Sequence, residues 1–187
     1  MRIIFIRHGK TKGNLEQRYI GKTNEPLCEA GRKEISLKKF PDADAVISSP
    51  MRRCVETAEI IYPKKNIIVI EELRECDFGD FEGKNYSELE TDPNYQKWLE
   101  SFGKLPFPNG ESSESFKARC INGFEKAVLK FRSSKTLCFV VHGGTIMSVL
   151  EHYAFPKKDF YSYQVKNGCG FETELQNGKL TVTEELI

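Results

Sequence analysis

The sequence is poor in the residues that build disulfide scaffolds, zinc sites and membrane spans. Its 187 residues include six cysteines that never form a CxxC pair, so we expect reduced thiols in a cytosolic protein. Its three histidines are not part of an HExxH motif, which argues against a zinc site. No apolar run approaches the roughly 20 residues that cross a bilayer. The sequence thus predicts neither a disulfide framework, nor a metal centre, nor a membrane protein.

The sequence also lacks an excess of charge of either sign. Its net charge of +1 gives no electrostatic reason to expect nucleic acid or an anionic membrane as a partner. The first apolar run is too short for a signal peptide, because Arg7 and His8 interrupt it. The hydrophobic content of 39% is that of a globular protein, and the length fits a single domain over residues 1–187. We therefore expect one cytoplasmic domain.

Strand patterns and helix patterns alternate along the chain. Short apolar or β-branched runs predict strands at residues 1–6, 44–48, 66–70 and 136–141. Helical patterns lie at about residues 28–40, 51–62, 113–131 and 145–153. Residues 71–112 are irregular, and Asn177-Gly178 predicts the type I′ turn of a C-terminal hairpin. The alternation predicts an α/β fold, a three-layer α/β/α sandwich with a mainly parallel sheet.

Two of the predicted strands end in a histidine followed by a glycine. The first ends at Arg7-His8-Gly9, and the fourth ends at His142-Gly143. Glycine at such a point lets the backbone turn sharply and approach a ligand closely. Ligands of open α/β sheets bind outside the carboxyl ends of the strands. A cation beside two imidazoles at that edge predicts a site for an anion.

Charged residues follow the other two parallel strands. Arg52 and Arg53 fall in the first turn of a helix, where cations are unfavourable unless an anion lies nearby. Glu75 follows the third strand in a run rich in acidic residues. Because the carboxyl ends of parallel strands share one edge, we expect these side chains to meet the two histidines beside two helix N-termini. Such an array of fixed donors suits the oxygens of a phosphoryl group.

Several stretches of the chain resemble, in the same order, the motifs of the histidine phosphatase superfamily, which has the phosphoglycerate mutase-like fold. The matching stretches are RHGKT (7–11), PLCEAGRKE (26–34), SSPMRRCVETAE (48–59), LRECDFGDFEG (73–83), PNGESSESF (108–116) and VVHGGTIMSVL (140–150). Together they cover about residues 1–150. Within the family, the chain looks most similar to the small bacterial phosphatases, including the α-ribazole phosphatase type.

The resemblance implies a role for each matching residue. His8 would be the nucleophile that becomes phosphohistidine, and Arg7, Arg53 and His142 would hold the phosphoryl oxygens. Glu75 would give a proton to the leaving group and then activate water. The arginines and histidines would supply the positive charge, so the resemblance implies neither a metal nor another cofactor.

Three further residues match positions that contact the substrate in the family. They are Asn14, Gly21 and Gly143, and the N–H of Gly143 would reach the phosphate. One departure from the family pattern is that Ile20 precedes Gly21, where the mutases have a Thr-Gly pair.

The implied chemistry sets two requirements on the titratable groups. The attacking nitrogen of His8 must be unprotonated, so we expect neighbouring cations to lower the pKa of His8. A backbone carbonyl would hold the other ring nitrogen. As an acid, Glu75 must be protonated, so we expect burial or the substrate phosphate to raise the pKa of Glu75.

Alternatives remain for several of these residues. An alternative interpretation of His8 and His142 is that each is a structural or solvated group. An alternative interpretation of Arg52 and Arg53 is that both are solvated residues at the start of a helix. Of the two, Arg53 is the better match to the family pattern. Glu82 is the main rival of Glu75 as the proton donor.

Three classes of function fit the pattern: a phosphomonoesterase, a phosphoglycerate mutase-type isomerase, and a non-catalytic phosphate-binding module. A mutase needs extra cations before the long helix to retain a bisphosphate, whereas Lys84, Lys97 and Lys104 are dispersed among acids. A binding module has no need of an acid beside a nucleophile. We therefore expect a phosphatase that acts on a small phosphate ester. α-Ribazole 5′-phosphate, a sugar (bis)phosphate and other monoesters remain open as the substrate.

Overall fold

Six strands form one sheet in the computed structural model, which describes residues 1–187. They are β1 (Arg2–Arg7), β2 (Ala45–Ser48), β3 (Ile67–Val69), β4 (Thr136–Val141), β5 (Gly170–Gln176) and β6 (Lys179–Leu186). Their order across the sheet is β3-β2-β4-β1-β5-β6. The first four strands in this order are parallel, while β5 runs antiparallel to both of its neighbours. The carboxyl ends of the four parallel strands therefore lie at one edge.

Seven α-helices connect or flank these strands. They are α1 (Lys12–Leu15), α2 (Glu29–Leu37), α3 (Arg52–Ile61), α4 (Tyr86–Leu89), α5 (Pro93–Glu100), α6 (Ser113–Lys130) and α7 (Gly143–Tyr153). Short 3₁₀ helices lie at Glu71–Leu73, Gly79–Phe81 and Phe160–Tyr163. None of the helices is long and apolar enough to cross a membrane.

The core lies on both faces of the sheet, because successive side chains of a strand point to opposite sides. On one face, Ile3 and Phe5 pack against apolar residues of α6 and α7, including Phe124 and Val149. On the other face, the side chains of β1 pack in a second cluster with residues of α3. Helix α2 packs outside α3. The three-layer sandwich with a mainly parallel sheet is thus confirmed.

The irregular segment predicted for residues 71–112 contains two short α-helices and a cluster of aromatic side chains. Phe81, Leu89 and Tyr95 are buried together, and Trp98 and Phe107 pack against them. This cluster anchors the segment beside the sheet edge. Most of these aromatic rings are therefore packing groups.

The structure differs from the sequence prediction in the detail of two elements. Helix α7 begins at Gly143 rather than at residue 145, so it starts directly after His142. The loop after β1 contains the one-turn helix α1, which Thr11 and Asn14 cap reciprocally. The predicted type I′ turn is confirmed by positive φ angles of 50° at Asn177 and 72° at Gly178.

Candidate active site

His8 lies at the carboxyl end of β1, where the backbone fixes both its position and its tautomer. Its N–H donates to the carbonyl of Val141 on the neighbouring strand at 3.0 Å. In the ring, Nδ1–H donates to the carbonyl of Gly9 at 2.7 Å, since a carbonyl only accepts. Burial, followed by the charges of Arg53 and Arg7, lowers the pKa of His8 well below 6.5. Nε2 therefore carries a free lone pair, as a nucleophile requires.

Arg7 and Arg53 are each held by backbone carbonyls, and each retains an unused donor. Nη1 of Arg7 donates to Val165 O at 2.8 Å. Nη1 of Arg53 donates to Thr23 O at 2.9 Å, and its Nη2 donates to Gly21 O at 2.9 Å. The Nε atoms of both arginines are buried and have no hydrogen-bond partner. Two buried cationic donors without acceptors fit an anionic ligand.

Of the two adjacent arginines, only Arg53 enters the site. Its exposed fraction is 1%, whereas Arg52 is exposed and pairs with Glu56 at 2.7 Å on the surface of α3. Successive residues of a helix point in directions about 100° apart, so one of the pair faces inward. One turn after Arg53, Thr57 donates to Arg53 O at 2.6 Å and accepts from Gly9 N at 3.0 Å. Thr57 thereby joins α3 to the turn after His8.

His142 occupies the N-cap position of α7 and is fully buried beside His8. The centroids of the two imidazole rings lie 5.2 Å apart. Nε2 of His142 shares a hydrogen bond with Ser49 Oγ at 2.7 Å. Burial, followed by Arg53 and His8, lowers the pKa of His142 well below 6.5. Ser49 had no sequence signal of its own, because its contact depends on how β2 lies against β4.

Glu75 lies beside His142, with Oε2 3.8 Å from His142 Nδ1. Burial raises the pKa of Glu75 above its ordinary value, against the opposing effect of the Cys76 N–H and the nearby arginines. The Cys76 N–H donates to Glu75 Oε1 at 3.0 Å. A Cβ atom at Gly144 would lie 2.9 Å from Glu75 Oε1. Glycine in the first turn of α7 therefore leaves room for this carboxyl group.

Glu82 lies outside this group, and its carboxylate is engaged by backbone N–H groups. It accepts from Gly21 N at 2.9 and 3.1 Å and from Thr23 N at 2.9 Å. The carbonyls of the same two residues accept from Arg53. Glu82 thus supports the loop that holds Arg53.

Gly21 lies in the loop that holds Arg53. Its N–H donates to Glu82 and its carbonyl accepts from Arg53, so both backbone groups are already used. A Cβ atom at Gly21 would lie 1.9 Å from the carbonyl oxygen of Cys76. Gly21 is thus a close-packing position behind Arg53, and the substrate contact expected there from the family pattern stays a prediction.

Asn14 and Gly143 each present a donor beside the site. Asn14 Oδ1 accepts from Thr11 N at 3.2 Å and from Asn167 Nδ2 at 3.1 Å, which orients the side chain and leaves its NH₂ group free. The N–H of Gly143 has no partner within α7, because it is the first residue of the helix. A Cβ atom there would lie 3.5 Å from Arg7 Nε. Asn167 lies outside the sequence motifs, so no sequence signal marked it.

A cleft of about 310 Å³ opens beside Glu75. Met51 is its one hydrophobic lining residue. Lys22 pairs with Asp77 at 3.1 Å across part of the wall. The lining residues are Lys22, Met51, Arg74, Glu75, Asp77, Asn109, Gly110 and Glu111. The cleft thus joins Glu75 to a strongly polar surface.

Comparison with protein families identifies this arrangement. The family model described as histidine phosphatase superfamily (branch 1) matches residues 3–185. The chain belongs to the histidine phosphatase superfamily. The resemblance stated from the motifs is confirmed, and the fold is phosphoglycerate mutase-like.

Three phosphatases that are similar to this chain are named for different substrates or for none. The uncharacterized phosphatase PhoE of Bacillus subtilis (strain 168) is 28% identical over 97% of this chain and 92% of its own length. An adenosylcobalamin/alpha-ribazole phosphatase of Escherichia coli (strain K12) is 27% identical over 90% and 87%. A mutant phosphoserine phosphatase of Entamoeba histolytica, solved with phosphoserine, is 26% identical, with a TM-score of 0.83 over 99% and 96%. Phosphatase activity is thus supported for this chain at the level of the family.

Proposed function

We propose that this histidine phosphatase hydrolyses small, polar phosphate monoesters through a phosphohistidine at His8, without a metal ion. The observation that best supports the proposal is the free Nε2 of His8 beside two buried arginine Nε atoms that lack acceptors. In this proposal Arg7, Arg53 and His142 hold the phosphoryl oxygens. The free donors of Asn14 and Gly143 supply further contacts.

The first chemical step transfers the phosphoryl group to the protein. Nε2 of His8 forms a bond to phosphorus as the bond to the leaving-group oxygen breaks. Glu75 in its protonated form, which burial favours by raising its pKa, gives its proton to that oxygen and releases an alcohol. Arg7 and Arg53 stabilise the charge on the phosphoryl oxygens.

The second step returns the protein to its starting state. The carboxylate of Glu75 takes a proton from water, and the water oxygen forms a bond to phosphorus as the bond to His8 breaks. Inorganic phosphate leaves, and Glu75 is protonated again. The same residue thus serves as acid and then as base, which requires it to lie on the leaving-group side of phosphorus.

The lining of the cleft favours a polar leaving group. Its single hydrophobic residue, Met51, offers little surface for a large apolar ring. α-Ribazole 5′-phosphate carries a largely apolar benzimidazole base, whereas phosphoserine and sugar phosphates carry polar leaving groups. We therefore rank polar monoesters of the latter kinds above α-ribazole 5′-phosphate, although a similar protein is named for α-ribazole.

Hydrolysis is favoured over a mutase reaction by the charges of the cleft. Lys22 and Arg74 are its only cationic lining residues, and Lys22 is already paired with Asp77. Retaining a bisphosphate intermediate needs a second set of free cations. Arg74 is the one cationic lining residue of the cleft that has no ion-pair partner.

The proposal is tested with purified protein and a panel containing phosphoserine, sugar mono- and bisphosphates, α-ribazole 5′-phosphate and p-nitrophenyl phosphate. Rapid quenching should trap an acid-labile, base-stable phosphoprotein in the wild type and none in His8→Ala. We expect His8→Ala to remain folded by circular dichroism and to lose hydrolysis of every substrate. Wild-type turnover by His8→Ala would overturn the nucleophile assignment, and a preference for α-ribazole 5′-phosphate would overturn the ranking of substrates.

A further inference from the structure

Arg119 on α6 binds the backbone of the segment that carries Glu75. Its Nη1 donates to Glu72 O and to Arg74 O, each at 2.8 Å, and its Nη2 donates to Glu75 O at 3.3 Å. Three carbonyls within four residues therefore converge on one guanidinium. Glu72 lies in the 3₁₀ turn Glu71–Leu73 after β3, and Arg74 and Glu75 follow that turn, so no strand or longer helix satisfies these carbonyls. A planar fork with five donors is suited to gather them.

The same guanidinium forms a partly buried, bidentate ion pair with Glu111. Nε donates to Glu111 Oε1 at 3.0 Å and Nη2 to Oε2 at 2.6 Å. The side chains are only 11% and 12% exposed. The Glu111 N–H also donates to Asp77 O at 2.9 Å, so Glu111 contacts the Glu75 segment through Arg119 and through its own backbone. Glu111 and Glu75 line the same cleft.

The packing of α6 brings Arg119 close to this segment. Gly123 lies one turn further along the helix, and a Cβ atom there would be 2.9 Å from Leu73 Cδ2. A glycine at this position lets α6 approach the 3₁₀ turn Glu71–Leu73 closely. Two features of one helix face, a glycine and an arginine, therefore fix the same backbone.

We propose that Arg119 is a positioning residue that sets the location of Glu75 for proton transfer, and that Glu111 holds it in place. The inference rests on the role of Glu75 in the proposed function. Arg119 contacts the backbone of Glu75 rather than the reacting atoms, so its effect on proton transfer passes through Glu75. A misplacement of a catalytic group by about 1 Å costs about 100-fold in rate.

The kinetic test compares Arg119→Lys with Arg2→Lys. Arg2 forms a similar bidentate pair with Glu172, at 2.8 and 2.6 Å, at the opposite end of β1 from His8. We expect Arg119→Lys to lower kcat by about 10- to 100-fold for an alkyl phosphate, by less for p-nitrophenyl phosphate, and to change KM little. Arg2→Lys should leave kcat and KM unchanged for both substrates. Equal losses of kcat on the two substrates would overturn the proposal.

A double variant separates this inference from the proposed function. If Arg119 acts only through Glu75, adding Arg119→Lys to Glu75→Gln should cause no further loss of kcat. An additive loss would overturn the positioning role. If the loss of kcat in Glu75→Gln is the same for both leaving groups, the proposed function itself is contradicted.

Hydrogen exchange decides the positioning role independently of turnover. Arg119→Met removes every donor at similar length, so the amides of residues 73–76 and 111 should exchange faster than in the wild type. If Arg119→Met does not fold, the same exchange measurement is made on Arg119→Lys. Arg2→Met is the control variant. Unchanged exchange in this segment would overturn the proposal whatever the substrate proves to be.

Discussion

Glu82 accepts the N–H of Gly21 with both carboxylate oxygens, at 2.9 and 3.1 Å. This contact distinguishes Glu82 from Glu75, the two acidic residues that the sequence leaves as alternatives for the proton donor. Glu82 supports the loop behind Arg53, whereas Glu75 lies beside His142 with a pKa raised by burial. The two carboxyl groups therefore act on different parts of the reaction in the proposed function.

The first prediction concerns these two acids. Glu75→Gln keeps the shape of the side chain but has no proton to give, so we expect kcat for an alkyl phosphate to fall by about 10²- to 10⁴-fold. The loss should be smaller with p-nitrophenyl phosphate, whose leaving group hardly needs protonation. Glu82→Gln should act mainly on KM through the position of Arg53. Steady-state kinetics with both substrates measures the difference, and the reverse pattern would exchange the two roles.

The second prediction uses the adjacent arginines of α3 as a matched pair. Arg53→Lys removes the unpaired Nε donor and the fork held by the Gly21 and Thr23 carbonyls, so we expect kcat to fall by about 10²-fold. Arg52→Lys alters only a surface pair with Glu56 and should retain wild-type kinetics. A larger effect at Arg52 than at Arg53 would contradict the burial seen in the structure.

The third prediction concerns pH. The reactive form needs neutral His8 and protonated Glu75. The pKa of His8 is held well below 6.5, so His8 stays neutral as the pH falls through 6.5. The pKa of Glu75 is raised, so kcat for an alkyl phosphate should fall as the pH rises through that raised value.

This alkaline decline should be absent in Glu75→Gln, which has no carboxyl group to titrate. The pH profile of kcat reports groups in the substrate complex, so it avoids the ionisation of free substrate. NMR of the imidazole rings provides the second measurement, and protonation of His8 near pH 6.5 would contradict the prediction.

The fourth prediction concerns metal ions. In the proposed function, Arg7, Arg53 and the start of α7 supply the positive charge around the phosphoryl group. We therefore expect activity to be unchanged after treatment with EDTA. Turnover is measured before and after chelation and again after adding Mg²⁺ or Zn²⁺. Loss on chelation with recovery on adding a divalent ion would refute metal-independent hydrolysis.

Local sequence pattern was enough to determine the sheet, its main helices and the residues at its strand ends. The run before Arg7 and His8 is a strand because its residues are apolar and β-branched, and the strand before His142 follows the same rule. Parallel strands then bring their ends together at one edge, so these positions follow from pattern and topology. The choice of Arg53 over Arg52 came from the family motif, and the burial of Arg53 agrees with it.

The tertiary structure alone decided the contacts that come from loops and from packing between distant elements. Glu75 and Glu82 lie in one acidic run, and only the path of the loop sends one to His142 and the other to the Gly21 N–H. No periodic pattern in the sequence predicts the hydrogen-bond partners of Ser49, Arg119 and Asn167. Their hydrogen bonds to His142, Glu75 and His8 join residues 93, 44 and 159 positions apart, and such contacts depend on register and packing rather than on local propensity.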